Sequence, residues 1–483
     1  MLRERISSES RETPFDLLPP APTRFGMRLL QPIWQTLVER QGIIAYLPII
    51  AAMILLTCGA SWQFFAPITD VTRYQCYALT FWQGSAGTHL RPDIQCAFLG
   101  QFGVPAQGVL PFHIVPFEYP PLTLSIFSLV LVAPLPYYQI AFALLMACAA
   151  LGIYWLLLRY GPRGAAFACA FYLVLGSWGT AEGRFDLVPA GLTLLCVIAA
   201  ERQRWTLAYV ALALGFLLKI YPLLLLPALF LAEQMATQHI RKPSDTLTLK
   251  TLPGELWNAL REIGKWRWRN VLLFFSLILA VSGLFAILNF QGTVVSQLSY
   301  FAQRPVQAES TGSTLLWLAS LIGHPVNVVY TFGSANIESD LGGVVSLVFE
   351  LFSVLGYLVI ILWQWRGKLD VVQAFIALIL IFIVTGKVFS PQYLIWVIPL
   401  LAYHGAFSRR WLILWGTLCL LTTIIYPYIY MQTADTSLVP YIPGFVEFVG
   451  VRNTLLTLIT LAFVFNWQGL NQRKIIHLLP SKA

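Results

Sequence analysis

The residues that could do chemistry in this chain are one early carboxylate and four cations, each in a polar gap beside a long apolar stretch. The carboxylate is Asp70, and the cations are Arg184, Lys219, Arg304 and Lys387. A carboxylate can accept a proton from a hydroxyl group as a general base. Cations can stabilise negative charge that develops on an oxygen atom. Because an ionisable side chain at the rim of a membrane helix is costly, such residues mark a site or an ion pair.

The apolar composition indicates which elements must position these residues. Hydrophobic residues make up 58% of the 483-residue chain, charged residues make up only 11%, and the mean hydropathy is +0.70. A soluble protein of this length cannot hide so much apolar surface. A helix of about 20 apolar residues spans the hydrocarbon core of a bilayer. We therefore predict an all-α polytopic membrane protein with about 12 transmembrane helices, at residues 43–64, 137–158, 165–180, 187–200, 206–219, 221–235, 271–289, 343–363, 371–386, 391–404, 411–430 and 449–467.

Lysine and arginine set the predicted orientation. Of the 31 basic residues, 24 fall in alternate gaps, including five clusters between Arg159 and Arg410. Cytoplasmic loops are enriched in these residues, so we assign those gaps and both termini to the cytoplasm. The predicted location is the cytoplasmic membrane, with candidate chemistry on the extracytoplasmic side. The seven basic residues on that outer face are Arg73, Arg91, Arg184, Lys219, Arg304, Lys387 and Arg452.

The same topology divides the chain into regions. A cytoplasmic tail at 1–42 precedes the transmembrane domain at 43–467, and a second cytoplasmic tail follows at 468–483. The first extracytoplasmic loop, 65–136, is far too long for a connector, and we expect two helices in it to lie at the outer interface. The cytoplasmic loop 236–270 is predicted to carry an amphipathic surface helix with tryptophans at headgroup depth.

Composition also limits the classes of binding partner that the protein is expected to have. The net charge of +9 does not indicate nucleic acid, because the basic residues flank membrane helices, where they contact anionic lipid headgroups. Membrane lipids are therefore expected partners. No Cys/His spacing predicts a metal site. Cys76 and Cys96 share the first outer loop, and two states fit them: a disulfide in an oxidising compartment, or two free thiols.

Six polar segments on the predicted outer face together resemble one class of enzyme. Asp70 follows the anchor helix, with Tyr74 four residues on, and a Tyr119-Pro-Pro-Leu segment leads into the second interfacial helix. Further matches are Arg184-Phe-Asp-Leu-Val-Pro-Ala, Lys219-Ile-Tyr-Pro, Arg304-Pro-Val-Gln-Ala-Glu-Ser and Lys387-Val-Phe-Ser-Pro-Gln-Tyr-Leu. Over about residues 43–400 the chain resembles the GT-C glycosyltransferases, in particular the polyprenol-phosphate-mannose-dependent mannosyltransferases of family GT87.

The resemblance implies an activity and a set of site residues. Such an enzyme moves a single sugar, mannose or another hexose, from a polyprenyl monophosphate to an extracytoplasmic glycan or lipid-linked acceptor, with inversion. Asp70 is then the general base, and the candidates for binding the donor phosphate are Arg304, Lys387, Lys219 and Arg184. No cofactor, nucleotide or metal is required. The candidate substrate-binding residues are Tyr74, Glu118, Tyr119, Asp186, Gln307, Glu309, Ser310 and Gln392.

Alternative interpretations remain open for these residues and for the protein. Asp70 could cap the first interfacial helix, since Asp accepts backbone N–H bonds at that position. Arg304 and Glu309 could form a rim ion pair worth under about 1 kcal/mol, and Lys219 and Lys387 could extend from helix ends toward water. A ligase or polymerase using a polyprenyl diphosphate glycan, or a lipid or solute transporter, would share the polytopic architecture. The sequence does not indicate an oligomeric state.

Overall fold

The computed structural model describes residues 43–105, 107–240, 243 and 250–467. The two predicted tails, 1–42 and 468–483, lie outside the described residues. The described chain is predominantly helical, as predicted. Its α-helices are α1 (Leu47–Ala60), α2 (Asp70–Gln83), α3 (Asp93–Cys96), α4 (Thr123–Leu129), α5 (Tyr138–Tyr160), α6 (Ala165–Gly176), α7 (Leu187–Glu201), α8 (Trp205–Leu218), α9 (Leu226–Ala236), α10 (Leu252–Arg261), α11 (Arg269–Leu288), α12 (Ser296–Gln303), α13 (Thr311–Ser320), α14 (Gly342–Trp365), α15 (Val371–Thr385), α16 (Tyr393–His404), α17 (Arg409–Thr423) and α18 (Phe445–Val464).

Among the described residues, six helical segments are long and apolar enough to cross a membrane, as expected of a multi-pass membrane protein. They are Ile44–Gln63, Leu135–Tyr160, Arg269–Leu288, Gly342–Trp365, Arg409–Gln432 and Phe445–Val464. The other six predicted crossings coincide with apolar helices of 10–17 residues. At 1.5 Å per residue these are shorter than the roughly 30 Å hydrocarbon core. The total of 12 crossings therefore stays a prediction.

Burial separates the interior helices from those at the periphery. Helix α15 is enclosed along most of its length and packs against α14, α16 and α18, while α7 and α8 pair closely. Helices α11 and α14 are the opposite case, because only 11% and 6% of their apolar windows are buried. Leucines such as Leu279 and Leu351 therefore project from the protein, as expected for side chains that contact lipid.

A small antiparallel sheet is the one strand-containing part of the otherwise helical described chain. Strands β1 (Val306–Gln307), β2 (Val326–Thr331) and β3 (Ser334–Ser339) pair in the order β1-β3-β2. Thr331 pairs with Ser334, so a two-residue turn joins β2 and β3. Both turn residues, Phe332 and Gly333, have positive φ (54° and 69°), as a hairpin turn of this type requires. The sheet lies in a segment where the sequence analysis predicted only an outer loop.

The loop 65–136, which is predicted to be the first outer loop, contains the two expected helices and a disulfide. Helices α2 and α4 lie within the segments predicted to be interfacial, although α4 has only seven residues. Cys76, on α2, is bonded to Cys96, at the end of α3, which resolves the choice between a disulfide and free thiols. This bond ties α2, which begins at Asp70, to the rest of the loop.

The loop 236–270, which is predicted to be cytoplasmic, is described only in part. The amphipathic helix predicted in this loop lies at Leu252–Arg261 and is followed by a single 3₁₀ turn at Ile263–Lys265. Leu256 and Trp257 are exposed on this helix. An exposed apolar face beside basic residues is typical of a helix that lies on a membrane surface.

Candidate functional site

Most of the predicted site residues lie on the wall of one cavity of about 390 Å³. They come from α2, from the segments before α4, before α7, after α8 and after α12, and from the segment between α15 and α16, so distant parts of the sequence meet here. Ten of the thirteen predicted residues line it: Asp70, Glu118, Tyr119, Arg184, Lys219, Arg304, Gln307, Glu309, Lys387 and Gln392.

Asp70 is the first residue of α2 and does not cap it. Thr69 is the N-cap, because its hydroxyl accepts from the Thr72 amide at 3.1 Å while the Thr72 hydroxyl accepts from the Thr69 amide at 2.9 Å. The alternative of Asp70 as the cap is therefore wrong. Its carboxylate forms an ion pair with Arg184 and lies 4.0 Å from Arg73, so two guanidinium groups orient it toward the cavity.

Arg73 and Glu118 form a second ion pair beside Asp70. Arg73 Nη2 lies 2.5 Å from Glu118 Oε1, and the guanidinium stacks on the Phe98 ring at 4.6 Å. Burial lowers the pKa of Arg73, but the charge of Glu118, the hydrogen bond to it and the neighbouring Tyr77 and Tyr119 together hold the pKa above its usual value. Glu118 Oε2 is buried and accepts no hydrogen bond within the described part of the chain. One oxygen of this carboxylate is thus enclosed beside Asp70 without a hydrogen-bond donor among the described residues.

Arg304 is the cavity cation whose partners are neutral. Its Nη1 donates to the Tyr300 hydroxyl at 3.1 Å and its Nη2 donates to the Ser334 hydroxyl at 3.0 Å. Among the described residues it has no carboxylate within ion-pair distance, and its buried Nε has no hydrogen-bond partner. The alternative of a rim pair with Glu309 is wrong, because Glu309 binds Arg452 instead. Arg304 therefore brings an uncompensated positive charge to the cavity.

The two lysines at the cavity are both in ion pairs. Lys219 Nζ lies 3.0 Å from Asp186 Oδ1 and 4.6 Å from the centre of the Phe185 ring. Burial lowers the pKa of Lys219, although the charge of Asp186 opposes this effect. Lys387 Nζ lies 3.0 Å from Glu350 Oε1 on α14. Either lysine has to exchange its carboxylate for a ligand in order to bind an anion directly.

Glu309 and Gln307 join neighbouring segments of the wall. Arg452 Nη1 lies 3.0 Å from Glu309 Oε2, and the Tyr430 hydroxyl donates to Oε1 at 2.7 Å. Burial raises the pKa of Glu309, while the charge of Arg452 opposes this effect. The backbone N–H of Gln307 donates to the backbone carbonyl of Lys387 at 2.8 Å. The segment that follows Arg304 is thus tied to the segment that carries Lys387.

Three predicted site residues lie behind the cavity wall. Tyr74 is 1% exposed and stacks on Phe127, with ring centres 4.3 Å apart. Asp186 is buried and accepts from Trp396 Nε1 at 2.6 Å as well as binding Lys219. Ser310 is the N-cap of α13, where its hydroxyl accepts from the Ser313 amide. They support the residues that face the cavity.

The turn of the hairpin adds residues that the sequence analysis missed. Phe332, Gly333 and Ser334 line the cavity, and the Tyr300 hydroxyl donates to the Phe332 carbonyl at 3.1 Å. A Cβ atom on Gly333 would lie 2.9 Å from Arg73 Nη1. The turn therefore touches both the ion pair beside Asp70 and the hydroxyl that binds Arg304. A sequence signal was present, because Val326–Thr331 is rich in β-branched and aromatic residues and is followed by a turn that contains a glycine.

Other missed residues are the ion-pair partners. Glu350, Tyr426 and Tyr430 line the cavity, and Arg452 lies directly behind it. The described residues contain no group of three or more His, Cys, Asp or Glu side chains that could hold a metal ion. No family model matches the chain, and no curated protein matches it. Fold and site thus define a multi-pass membrane protein with a charged cavity that combines a carboxylate with cations.

Proposed function

We propose that the protein is an integral-membrane glycosyltransferase that moves a single hexose from a polyprenyl monophosphate to a hydroxyl of an extracytoplasmic glycan or lipid-linked acceptor. The observation that carries this proposal is the composition of the cavity wall. It combines an oriented carboxylate, Asp70, with a guanidinium, Arg304, that has no carboxylate partner among the described residues. A sugar joined to a lipid phosphate is a phosphodiester with one negative charge. Arg304 supplies one matching positive charge.

The chemistry assigns a separate role to each group. The acceptor oxygen forms a bond to the anomeric carbon while the bond from that carbon to the phosphate oxygen breaks. The electron pair of the broken bond stays on the phosphate, and the proton of the acceptor hydroxyl passes to Asp70. A single displacement of this kind inverts the anomeric centre. General-base assistance typically contributes a factor of about 10²–10⁴.

The leaving phosphate gains a second negative charge, which needs additional cations. When Asp70 takes up the proton it becomes neutral, and Arg184 loses its charged partner. The positive charge of Arg184 then becomes available to the phosphate in the same cavity. Lys219 and Lys387 are the other cations on the wall. Proton transfer and charge stabilisation are thereby coupled through one ion pair.

Two independent features support the extracytoplasmic side for this reaction. The cavity is built from the gaps that are poor in lysine and arginine, which is typical of outer loops. The Cys76–Cys96 disulfide ties the loop that carries Asp70, and disulfides persist in oxidising compartments outside the cytoplasm. A polyprenyl phosphate donor suits this location, because nucleotide sugars are cytoplasmic metabolites while a lipid-linked donor stays with the membrane.

The direct test is an assay of the purified protein in lipid nanodiscs with a panel of polyprenyl-phosphate hexoses, nucleotide hexoses and a polyprenyl-diphosphate glycan. We expect one lipid monophosphate donor to be consumed, with release of polyprenyl phosphate and an inverted glycosidic product. The Asp70→Asn protein is the matched control. Consumption of the diphosphate glycan alone would favour a ligase. Movement of an intact lipid or solute across proteoliposomes, without bond cleavage, would favour a transporter.

A further inference from the structure

A second concave surface adjoins the cavity and has no role in the reaction described above. This side groove, of about 420 Å³, lies between the sheet, from Pro305 to Ser339, and the first turns of α14. Its volume is within the range of small-molecule sites, about 300–1,000 Å³. Glu350 and Lys387 line both the side groove and the cavity. The two spaces are therefore neighbours that share one ion pair.

The shared ion pair, Lys387 with Glu350, lies between the side groove and the cavity. Lys387 and Glu350 lie 3.0 Å apart, and their side chains are 29% and 59% exposed. Neither side chain is enclosed by the described protein, so a ligand that reaches the pair can come between them. One face of α14 runs from the side groove into the cavity. Gly343, Leu347 and Glu350 line the side groove, and Glu350 and Ser353 line the cavity, at the spacing of three or four residues that places side chains on one helix face.

The lining of the side groove restricts the class of ligand. Glu338 and Glu350 repel a phosphate, and Lys387, the cation of its described wall, is already paired with Glu350. The same charged groups disfavour an isoprenoid chain, because burying a charge against hydrocarbon is costly. Carboxylates together with the hydroxyls of Ser339 and Ser346 are suitable acceptors and donors for sugar hydroxyls.

We infer that the side groove binds the acceptor glycan, holding the sugar units next to the one whose hydroxyl enters the cavity. This inference rests on the proposed function and adds the acceptor class to it: a neutral oligosaccharide of at least two sugars. An acceptor chain that lies along α14 and passes between Lys387 and Glu350 would displace their contact. Lys387 would then be available to the donor phosphate, so that a bound acceptor adds a cation to the cavity.

Gly343 offers a steric test. A Cβ atom built there has no neighbour within 4 Å, and its φ is not positive, so Gly343→Leu fills the side groove without forcing the backbone. Gly283→Leu is the matched control, because Gly283 lies on the exposed helix α11 and its Cβ also meets open space. Both proteins are assayed in nanodiscs, with methyl hexopyranosides and the matching di- and trisaccharides as acceptors.

We expect the wild type and Gly283→Leu to have a KM about tenfold lower for the trisaccharide than for the monosaccharide, the effect of ~1.4 kcal/mol of added binding. Gly343→Leu should lose this preference while its KM values for the monosaccharide and the donor stay unchanged. An unchanged preference in Gly343→Leu, or none in the wild type, would overturn the inference. A raised donor KM would instead assign the side groove to the donor lipid.

A measurement of binding separates this inference from the proposed function. Saturation-transfer NMR with the trisaccharide reports occupancy whether or not the protein turns over any donor. Signal in the wild type and in Gly283→Leu, with loss in Gly343→Leu, supports a carbohydrate site in the side groove even if every donor in the panel is left intact. Equal signal in all three proteins contradicts the site, whatever the activity.

Discussion

Arg452 and Glu309 form an ion pair that is fully enclosed: Nη1 lies 3.0 Å from Glu309 Oε2, and Nη2 donates to the Glu309 carbonyl at 2.5 Å. The same guanidinium stacks on the Phe389 ring at 4.0 Å. Glu309 follows Arg304 by five residues, and Phe389 follows Lys387 by two. One arginine on α18 therefore fixes both segments that bring these cations to the cavity.

Removing Arg452 should destabilise the protein strongly. In Arg452→Leu the carboxylate of Glu309 is left buried without a counter-charge, a change that typically costs about 3–5 kcal/mol. Unfolding of the purified protein in nanodiscs, followed by tryptophan fluorescence, measures the loss. The double variant Arg452→Leu with Glu309→Leu should be more stable than Arg452→Leu alone. A double variant that is less stable still would show that the two side chains do not act as a pair.

Arg304 should contribute to donor binding and to turnover. The loss of one charge-assisted contact costs roughly 1.5–3 kcal/mol, so Arg304→Ala should weaken both by about ten- to a hundred-fold. Arg304→Lys should recover only part of this, because a planar fork is replaced by a point charge. The check is the donor KM and kcat of both variants. Full activity in Arg304→Ala would show that the donor phosphate does not bind at Arg304.

The predicted topology can be tested by labelling with a membrane-impermeant maleimide. Cys58 and Cys148 are exposed in the structure, so both are first replaced by alanine, and the Cys76–Cys96 disulfide is kept. Gln107→Cys, in the first outer loop, should be labelled in intact cells. Lys250→Cys should be labelled only after lysis, because basic loops remain in the cytoplasm. Labelling of residue 250 from outside would invert the orientation and exclude an extracytoplasmic cavity.

Much of the architecture could be predicted because membrane helices leave a strong local signal. The six long apolar segments coincide with predicted crossings, since about 20 apolar residues in a row have few alternative structures. Shorter helices such as α6 and α16 are ambiguous, because 12 residues suit an interior helix as well as an irregular crossing. The hairpin was not predicted, because the long apolar stretches on both sides of it indicate helices and its own strands are short.

The site was predictable to the extent that charged residues stand out in an apolar chain. Asp70 and the four cations were conspicuous as outliers, and all five line one cavity. Their partners were not predictable, because an ion pair such as Arg452–Glu309 joins residues 143 positions apart. Whether Asp70 caps α2 also required the backbone, since Asp and the Thr before it are both residue types that favour that position.

Glu182 should make stability depend on pH near neutrality. It is buried in the segment between α6 and α7, and its Oε2 accepts from the Thr57 hydroxyl at 2.8 Å. Burial raises its pKa from 4.5 to about 7, although the Thr57 bond opposes this effect. The folded state therefore holds the proton more tightly than the unfolded state. This contribution to stability is present below pH 4.5 and is lost as the pH rises through about 7.

The measurement is the unfolding temperature of the wild type and of Glu182→Gln from about pH 5 to about pH 8, where only the wild type titrates at this position. The wild type should lose stability relative to Glu182→Gln as the pH rises, because the glutamine stays neutral throughout. Parallel curves for the two proteins would mean that Glu182 does not change its protonation on unfolding in this range.

Asp70→Asn should separate chemistry from binding. The amide keeps the shape of the side chain and the start of α2, which Thr69 caps, so the fold should be retained. Turnover should fall by about 10²-fold or more, because an amide cannot accept the proton of the acceptor hydroxyl. The donor KM should change little by comparison. Rates with saturating acceptor, together with donor binding by calorimetry, measure the two effects.

Glu118→Gln is the control for Asp70, because Glu118 is the other carboxylate beside the same guanidinium, Arg73. We expect this variant to keep most of its turnover, since its carboxylate is engaged with Arg73 at 2.5 Å. If Glu118→Gln were inactive while Asp70→Asn stayed active, the base would be Glu118. A covalent adduct between the sugar and either carboxylate would contradict single displacement and with it the role of Asp70 as a base.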